Sequence, residues 1–390
     1  LANTRLPPDR RRELPYALGR AHAAGVGPLL AGGIFRAMLL CRARTLSQGH
    51  SGVRPGFVVG LVVMVHGIVV PAVPSQGSVG ASGDLAPFAH LALPLIGEGF
   101  VLSDDGTEPS ANALARVGWE PLHLEPKEGL SLLNGTEGML AQGCIAVHRA
   151  RRLVDAADAA CALSVEALMG SSRPFDRRVH ELRPHPGQAE SAARIAALLD
   201  GSEIDASHHD DFAHKVQDAY SLRCAPQVHG AVRDTIDHAA KVFTTELGAV
   251  VDNPIVLPED GEFISAGNFH GQPLAFVLDF LAVAVTEIGS ISERRTDRLL
   301  DPDRSWGLTP FLAVEPGVES GYMITQYTAA AIVAENRVLA HPASVESIPT
   351  SGLQEDHVSM GWGAARKLDQ IITNTERVVA VELMCAAQGV

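Results

Sequence analysis

Positive charge is scarce in this chain: 31 lysines and arginines stand against 45 aspartates and glutamates, which gives a formal net charge of −14. That balance argues against nucleic acid or an anionic membrane as a partner, because phosphate binding needs clustered positive charge. Cysteine is also scarce, and the five cysteines are scattered without CxxC spacing. A disulfide framework or a zinc site is therefore not expected, and a reducing cytosol fits this composition.

Long hydrophobic runs are missing too. Residues 57–70 are interrupted by glycines and a histidine, and residues 274–285 contain Asp279. Both stretches are shorter than the roughly 20 residues that a membrane span requires, so we expect buried core helices. The β-branched residues of the first stretch leave a strand open as well. Residues 1–12 are polar and basic, so no signal peptide is visible and a cytoplasmic protein is expected.

Aromatic residues make up only 5% of the chain and hydrophobic residues 46%, so the core must be aliphatic and rich in alanine. Apolar positions recur at helical spacing over residues 142–169 and again over residues 362–385. Strand signals are sparse, and residues 250–257 are the best short candidate. The sequence predicts a mainly α protein, an elongated helical bundle, with an N-terminal part at residues 1–140 and a central bundle at residues 141–390.

The most informative segment is Gly80-Ala81-Ser82-Gly83-Asp84. Ala81 and Gly83 are small enough for the amide nitrogen of Gly83 to reach the carbonyl carbon of Ala81. Closing that ring with loss of water, including the Ser82 hydroxyl, would give a methylidene-imidazolone, an electrophile that no standard side chain provides. An ordinary turn at a helix start is the competing interpretation. Asp84 either assists the dehydration or caps the following helix.

Further polar clusters interrupt the aliphatic chain. In chain order they contain these candidate residues: His22; Asn134; Gln217, Tyr220 and Arg223; Phe269 and His270; and Gln354, Glu355, Asp356 and His357. An arginine-rich segment, Ser-Glu-Arg-Arg-Thr-Asp-Arg, spans residues 292–298. Together with Ala81-Ser82-Gly83, these motifs resemble those of the aromatic amino acid ammonia-lyases, in the same order and over essentially the whole chain.

The resemblance implies a helical bundle of the fumarase/aspartase-like type, with the cofactor loop in the smaller N-terminal part. It implies that Ala81-Ser82-Gly83 becomes 4-methylidene-imidazol-5-one (MIO) autocatalytically, with no external cofactor and no metal. It further implies a small amino acid substrate and a homotetramer whose active sites are shared between subunits. Residues 208–214 include histidines and aspartates of metal-ligand type, but they lack a fixed ligand spacing, so we assign them to a solvated helix start.

The resemblance also gives each candidate residue a role. Arg223 suits the substrate carboxylate, because its planar guanidinium binds two oxygens at once. Tyr220, expected on the same helical face, helps with proton transfer or cofactor orientation, and Gln217 adds a further turn of that face. Asn134 donates to the substrate carboxylate or the cofactor oxygen, and Phe269 forms an apolar wall. Each of these residues has an ordinary alternative as an ion pair, a core side chain or a turn residue.

Two residues bear on the choice of substrate. Glu355 and His22 stand where histidine-specific members present polar groups to an imidazole ring, whereas lyases for phenylalanine or tyrosine typically carry Gln in place of Glu355. The sequence therefore favours deamination of L-histidine to trans-urocanate and ammonia. A tyrosine or phenylalanine ammonia-lyase or 2,3-aminomutase stays open, as do a structural acid at Glu355 and a buried histidine at His22.

One motif of the family is missing. Its members carry a catalytic tyrosine in a Tyr-Gly…Thr-Gly-Phe-Gly loop just upstream of the residues that align with Leu1. Tyr16 is nearby, but its Leu-Pro-Tyr-Ala setting does not match that loop. We therefore expect the sequence to be cut at both ends, and an inactive fragment or pseudoenzyme is the alternative to an active enzyme.

Overall fold

Helices dominate the structure, a computed structural model that describes residues 7–66, 69–208 and 216–390. The helices are α1 (Leu14–His22), α2 (Gly32–Ser47), α3 (Pro55–Val65), α4 (Leu85–Ala92), α5 (Ser110–Val117), α6 (Glu128–Leu133), α7 (Glu137–Ala167), α8 (Arg177–Glu181), α9 (Pro186–Leu199), α10 (Glu203–His208), α11 (Tyr220–Arg223), α12 (Ala225–Gly248), α13 (Gln272–Leu300), α14 (Met323–Leu339) and α15 (Gly361–Gly389). The mainly α class predicted from the sequence is confirmed.

The strands form short antiparallel ribbons. They are β1 (Val26–Leu29), β2 (Pro74–Gln76), β3 (Phe100–Ser103), β4 (Gly106–Pro109), β5 (Ile255–Leu257) and β6 (Glu262–Ile264). β1 pairs with β2, β3 with β4, and β5 with β6. The strand predicted over residues 250–257 is shorter than expected and begins only after Pro254, because proline has no N–H to donate to a ladder.

The chain divides into two compact units, and neither is a continuous stretch of sequence. Unit 1 consists of Leu1–Ile145, Val242–Phe276 and Pro342–Arg366, and unit 2 of Ala146–Lys241, Val277–His341 and Lys367–Val390. The ribbons all lie in unit 1.

In unit 1, α1, α4 and α6 pack against one another. α3 begins at Pro55, which suits the first helical turn because its missing N–H has no intrahelical partner there. Phe57, Leu61 and Met64 form its buried face. The helical interpretation of residues 57–65 is therefore correct, despite the β-branched composition.

In unit 2, the periodic apolar positions of the long helices face the core. The predicted face of α7 is buried throughout and comprises Val147, Val154, Cys161, Val165 and, just beyond the helix, Leu168. On α15, Leu368, Ile372 and Val379 of the predicted face are also buried, and Leu383 is half-buried. Burial of such stripes supplies most of the stability of long helices, since propensity alone is weak.

α13 contains the apolar stretch predicted over residues 274–285. One side is buried as expected, but Phe276, Phe280 and Val283 are 57%, 50% and 49% exposed. By length and composition this helix could cross a membrane, yet 67% of its most apolar window is buried inside the protein. Such burial is typical of a core helix.

Candidate active site

The Ala81-Ser82-Gly83 segment forms a tight turn in unit 1, between β2 and α4. Gly80, Ser82 and Gly83 have φ values of +74°, +52° and +83°, all in the left-handed region. That region is open to glycine but costs another residue about 1–2 kcal/mol. A strained serine persists only where the surroundings fix it, and such residues cluster at functional sites. The conformation of Ser82 therefore marks this turn as a candidate for chemistry.

Gly83 is pressed against a second backbone segment at Gly135. The two glycines form a parallel bridge, and the Asp84 N–H donates to the Gly135 carbonyl at 2.8 Å. A Cβ on Gly83 would lie 1.9 Å from that carbonyl oxygen, so no larger residue fits without displacing the backbone. Because Gly135 directly follows Asn134, the contact brings two of the sequence motifs together.

Asp84 is fully buried directly after the turn. Its Oδ2 accepts the Met139 N–H at 2.8 Å, and its Oδ1 accepts the Ser78 hydroxyl at 3.2 Å. The side chain makes no capping hydrogen bond to α4, so the capping alternative is wrong. Burial raises the pKa of Asp84 from 3.8 to about 7 despite those hydrogen bonds. Asp84 can therefore exchange a proton near neutral pH, as an assistant in dehydration needs to do.

The other side of the turn contacts the segment that follows residues 354–357. The Met360 N–H donates to the Val79 carbonyl at 2.9 Å, and the Ser359 hydroxyl donates to the Gly80 carbonyl at 3.4 Å. A Cβ on Gly80 would lie 2.2 Å from Ser359 Oγ. Residues separated by 279 positions in the sequence thus meet at the turn.

Glu355, four residues before Ser359, is half-buried. Its backbone carbonyl accepts the Thr350 N–H at 2.8 Å, which fixes the start of the segment. Its Oε2 is buried and has no hydrogen-bond partner among the residues the structure describes. A buried acceptor left unpaired costs about 1–3 kcal/mol, so this oxygen is suited to a ligand that brings an N–H group.

Asn134 is 2% exposed, and its side-chain nitrogen faces Asp252. It donates to Asp252 Oδ1 at 3.0 Å and, at 3.5 Å, to the Asn253 carbonyl. Lys127 Nζ lies 3.0 Å from the other Asp252 oxygen. Burial alone would raise the pKa of Asp252, but Arg42 and Lys127 more than offset it, so the pKa is lowered and the carboxylate stays charged. The expected donation by Asn134 to a substrate or cofactor oxygen stays a prediction. For that donation, the side chain would exchange its longer hydrogen bond, the one to the Asn253 carbonyl.

His22 and Phe269 also lie in unit 1, and both are half-buried. His22 ends α1, and its Nδ1 donates to the Leu18 carbonyl at 2.8 Å, because a carbonyl can only accept. Its Nε2 is then the ring atom that can accept a hydrogen bond. Phe269 precedes His270, whose ring stacks on that of His357 with 5.9 Å between centroids. The roles expected of His22 and Phe269 stay predictions.

Tyr220 and Arg223 lie in unit 2 on the one-turn helix α11. The Arg223 guanidinium lies 4.6 Å from the centroid of the Tyr220 ring, so the two side chains share one side of the helix. Arg223 Nε donates to the Asp218 carbonyl at 2.9 Å. Its two terminal nitrogens have no hydrogen-bond partner within the described part of the chain, which leaves them free for a carboxylate.

Gln217 does not extend this helical face, and that prediction is wrong. α11 begins only at Tyr220, and the preceding Ala219 is extended, with φ −61° and ψ 154°. Gln217 therefore lies off the helix, and it is exposed. A three-residue step indicates a shared face only where the chain is helical throughout.

Sequence reasoning missed a buried ion pair next to Gly135. Arg42 and Glu137 are 0% and 1% exposed, and Arg42 Nη1 lies 2.6 Å from Glu137 Oε1. A Cβ on Gly135 would lie 2.1 Å from Glu137 Oε2. The pair therefore helps to fix the backbone against which Gly83 packs. The available signal was an arginine at a core-facing position of α2, since arginine is rarely fully buried unless paired.

No group of three or more potential metal ligands occurs in residues 7–66, 69–208 or 216–390. His208 is buried, and its Nε2 lies 2.9 Å from the Gly170 carbonyl oxygen. The rest of the histidine- and aspartate-rich stretch (His209, Asp210, Asp211 and His214) lies outside the described residues.

The similarity to known sequences extends over the whole chain. A model of the aromatic amino acid lyase family matches residues 1–390. The chain is 53% identical over 387 residues to histidine ammonia-lyase of Gloeobacter violaceus, which covers 99% of this chain and 75% of that protein. It is 54% identical over 395 residues to histidine ammonia-lyase of Sorangium cellulosum, which covers 100% of this chain and 76% of that protein.

Solved structures give the same picture of the fold. Histidine ammonia-lyase from Trypanosoma cruzi superposes with a TM-score of 0.89 at 44% identity, covering 98% of this chain and 73% of that one. Tyrosine aminomutase from Streptomyces globisporus superposes with a TM-score of 0.94 at 41% identity, covering 99% and 76%. Backbone similarity therefore does not separate the substrate classes, and the side chains have to.

Proposed function

The chain belongs to the aromatic amino acid lyase family and is a carbon–nitrogen lyase, and from that premise we propose that it removes ammonia from L-histidine, without oxidation, to give trans-urocanate. This is the first step of histidine catabolism. The observation that carries the proposal is the strained turn at Ser82, packed on Gly135 and followed by the buried acid Asp84.

We propose that Ala81-Ser82-Gly83 forms the methylidene-imidazolone from the chain itself. The Gly83 nitrogen attacks the Ala81 carbonyl carbon and that oxygen leaves as water, while Ser82 loses its Cα hydrogen and its hydroxyl as a second water. The left-handed φ values and the missing Cβ of Gly83 support a backbone that closes on itself. Asp84 supports the dehydration by exchanging a proton near neutral pH. The completed group supplies the electrophile that the reaction needs.

In this proposal Arg223 binds the substrate carboxylate through its two terminal nitrogens. Its Nε is already held by the Asp218 carbonyl, so the guanidinium is oriented before the substrate arrives. The Tyr220 hydroxyl assists proton transfer or orients the cofactor, and Gln217 adds a polar contact from the segment before α11. Preorganised groups of this kind lower the barrier because little reorganisation remains at the moment of reaction.

Glu355 and His22 account for a preference for histidine. The unpaired Glu355 Oε2 is satisfied by an imidazole N–H, whereas a phenyl ring would leave it buried and unpaired. A site built around such a polar group rejects an analogue that lacks the matching donor strongly. His22, Asn134 and Phe269 complete the proposed pocket, with Phe269 as its apolar wall.

A tyrosine- or phenylalanine-specific lyase or aminomutase is the second candidate, because the tyrosine aminomutase backbone superposes with a TM-score of 0.94. Incubating the purified protein with L-histidine, L-tyrosine and L-phenylalanine separates the two, since a lyase gives a conjugated product that absorbs in the ultraviolet, and an aminomutase consumes its substrate and gives a β-amino acid that chromatography detects. We expect turnover of L-histidine. Turnover of tyrosine without histidine would refute the role of Glu355, and no turnover of any of the three would favour the pseudoenzyme.

Intact mass tests the cofactor separately. We expect the protein to weigh two water molecules less than its sequence, and Ser82→Ala to show the full sequence mass, a native circular dichroism spectrum and no turnover. Ser103→Ala, in β3 and outside the site, is the matched control and should keep both the mass deficit and the rate. An Ser82→Ala protein that turns over L-histidine at the parent rate would refute the mechanism.

We also propose that the protein assembles as a homotetramer and is cytoplasmic. A homotetramer with shared sites would cover the exposed Phe276, Phe280 and Val283 on α13, since exposed apolar side chains in one stripe favour association. Light scattering on the protein as it elutes from a size-exclusion column measures the mass of the assembly.

The acidic charge balance and unpaired cysteines support a cytoplasmic enzyme.

A further inference from the structure

The arginine-rich segment at residues 292–298 has no role in the proposed reaction, yet it contains one of the most deeply buried charges of unit 2. Arg295, on α13, is 0% exposed, as is Glu382 on α15. Arg295 Nε and Nη2 donate to the two Glu382 oxygens at 2.5 and 2.9 Å. Glu382 also accepts the Ser164 hydroxyl of α7 at 2.8 Å. The guanidinium is therefore clamped in a single orientation.

The third nitrogen of that guanidinium points to α11. Arg295 Nη1 donates to the Ser221 carbonyl at 3.1 Å. α11 is a single helical turn, and the last carbonyls of a helix lack partners within it. Ser221 is the residue directly after Tyr220 and two before Arg223. A cation at this carbonyl satisfies the orphan acceptor and fixes the turn that carries both side chains.

A network of hydrogen bonds continues from Arg295 to three further side chains. His229 Nε2 lies 3.5 Å from Arg295 Nη1 and, facing a group that can only donate, is the acceptor. His229 Nδ1 then donates to Asp158 at 2.7 Å, and Asp158 accepts Arg233 at 2.6 Å. His229 and Asp158 are 0% exposed, so the network has no solvent to exchange partners with. Its geometry is set by packing of the surrounding helices.

We propose that Arg295, locked by Glu382, is a positioning residue that sets the orientation of Tyr220 and Arg223 through the Ser221 carbonyl. Arg295 touches no reacting group itself. The roles of Tyr220 and Arg223 in this inference rest on the proposed function. The effect of Arg295 on α11 rests only on its contact with the Ser221 carbonyl. Loss of that contact should weaken substrate binding while the fold persists.

Arg295→Lys is the variant that tests this. It keeps the positive charge beside Glu382, but a single ammonium cannot hold both carboxylate oxygens and reach Ser221. Arg233→Lys is the matched control, because Arg233 is 8% exposed, lysine keeps the charge opposite Asp158, and within the described residues none of the hydrogen bonds of Arg233 reaches α11. If Arg295→Lys fails to fold, the paired change Arg295→Met with Glu382→Leu replaces the buried ion pair by apolar groups, which such sites often tolerate.

Kinetics provide the first readout. Arg295→Lys should raise KM for L-histidine by about tenfold, and Arg233→Lys by less than about twofold, because only the former moves the carboxylate-binding group. In an Arg223→Ala background the effect of Arg295→Lys on KM should shrink to less than about twofold, since residues acting as one unit are not additive. Equal factors in both backgrounds would overturn the proposal.

Hydrogen exchange provides a readout that needs no activity. Amides of residues 216–228 should exchange about tenfold faster in Arg295→Lys, and at the parent rate in Arg233→Lys, if Arg295 holds the turn. Unchanged exchange in Arg295→Lys would overturn the inference whatever the kinetics show. A parent protein that deaminates no amino acid would refute the proposed function, and the exchange data would still decide whether Arg295 fixes the turn.

Discussion

Replacing Asp84 by asparagine should remove a pH dependence from the stability of the protein. Burial raises the pKa of Asp84 from 3.8 to about 7, so the folded protein keeps a proton that the unfolded chain releases. At ~1.4 kcal/mol for each pH step between these values, ionising Asp84 costs the folded state roughly 4 kcal/mol. The stabilisation is fully present below pH 3.8 and is lost as the pH rises through about 7.

The assay is urea unfolding at about pH 5 and about pH 8. Both proteins carry Ser82→Ala, so that the turn has the same covalent structure in each. Between these pH values the unfolding free energy of the parent should fall by about 3 kcal/mol more than that of Asp84→Asn. The other titrating groups contribute equally to both proteins and therefore cancel in this difference. Asparagine keeps an oxygen for the Met139 N–H, which limits other changes.

Asp252→Asn is the control, because its carboxylate behaves in the opposite way. Its pKa is lowered, since Arg42 and Lys127 more than offset the effect of burial. Its contribution is therefore present throughout this pH range and is lost only in acid, so the stability difference from the parent should be the same at both pH values. Parallel pH dependences for Asp84→Asn and the parent would refute the reasoning about Asp84.

Three further changes test the site. Gly83→Ala should destabilise the protein by about 1–3 kcal/mol or more, because it strains a left-handed residue and places a Cβ 1.9 Å from the Gly135 oxygen; an unchanged urea midpoint would contradict this packing. Arg223→Ala should lower kcat/KM for L-histidine roughly 10- to 100-fold, matching a lost charge-assisted hydrogen bond, and steady-state rates equal to the parent's would remove its role. Glu355→Gln should raise KM for L-histidine more than for L-phenylalanine, because a neutral amide accepts more weakly than a carboxylate; equal changes would speak against imidazole recognition.

Local patterns were enough to predict the helices and the turn. The apolar period of residues 142–169 and 362–385 depends only on which residues share a helical face, and the structure buries those faces except at Leu383, which is half-buried. Likewise, the turn at Ala81-Ser82-Gly83 follows from the small size of Ala81 and Gly83. These features need no knowledge of what lies across the fold.

Predictions failed where the backbone path and the tertiary packing, and not the spacing of residues along the sequence, decided the outcome. Asp84 has the sequence position of a helix cap, but its carboxylate bonds to Met139 because α7 passes beside it. Gln217 has the spacing of a helical neighbour of Tyr220, but the extended backbone at Ala219 ends that relation. The exposed side of α13 was expected to be buried. Which sides of a helix are buried depends on the packing of neighbouring helices, and local sequence does not show that packing.

The amino-acid order by itself determined the helical class, the Ala-Ser-Gly tripeptide and the set of candidate side chains, since each depends on neighbours within a few positions. Only the tertiary structure decided how the tripeptide is confined by Gly135 and Ser359, and how Arg295 reaches the carbonyl of Ser221. Those contacts join residues tens to hundreds of positions apart, and burial then gives their charges and hydrogen bonds an energetic weight that the same residues would lack in water.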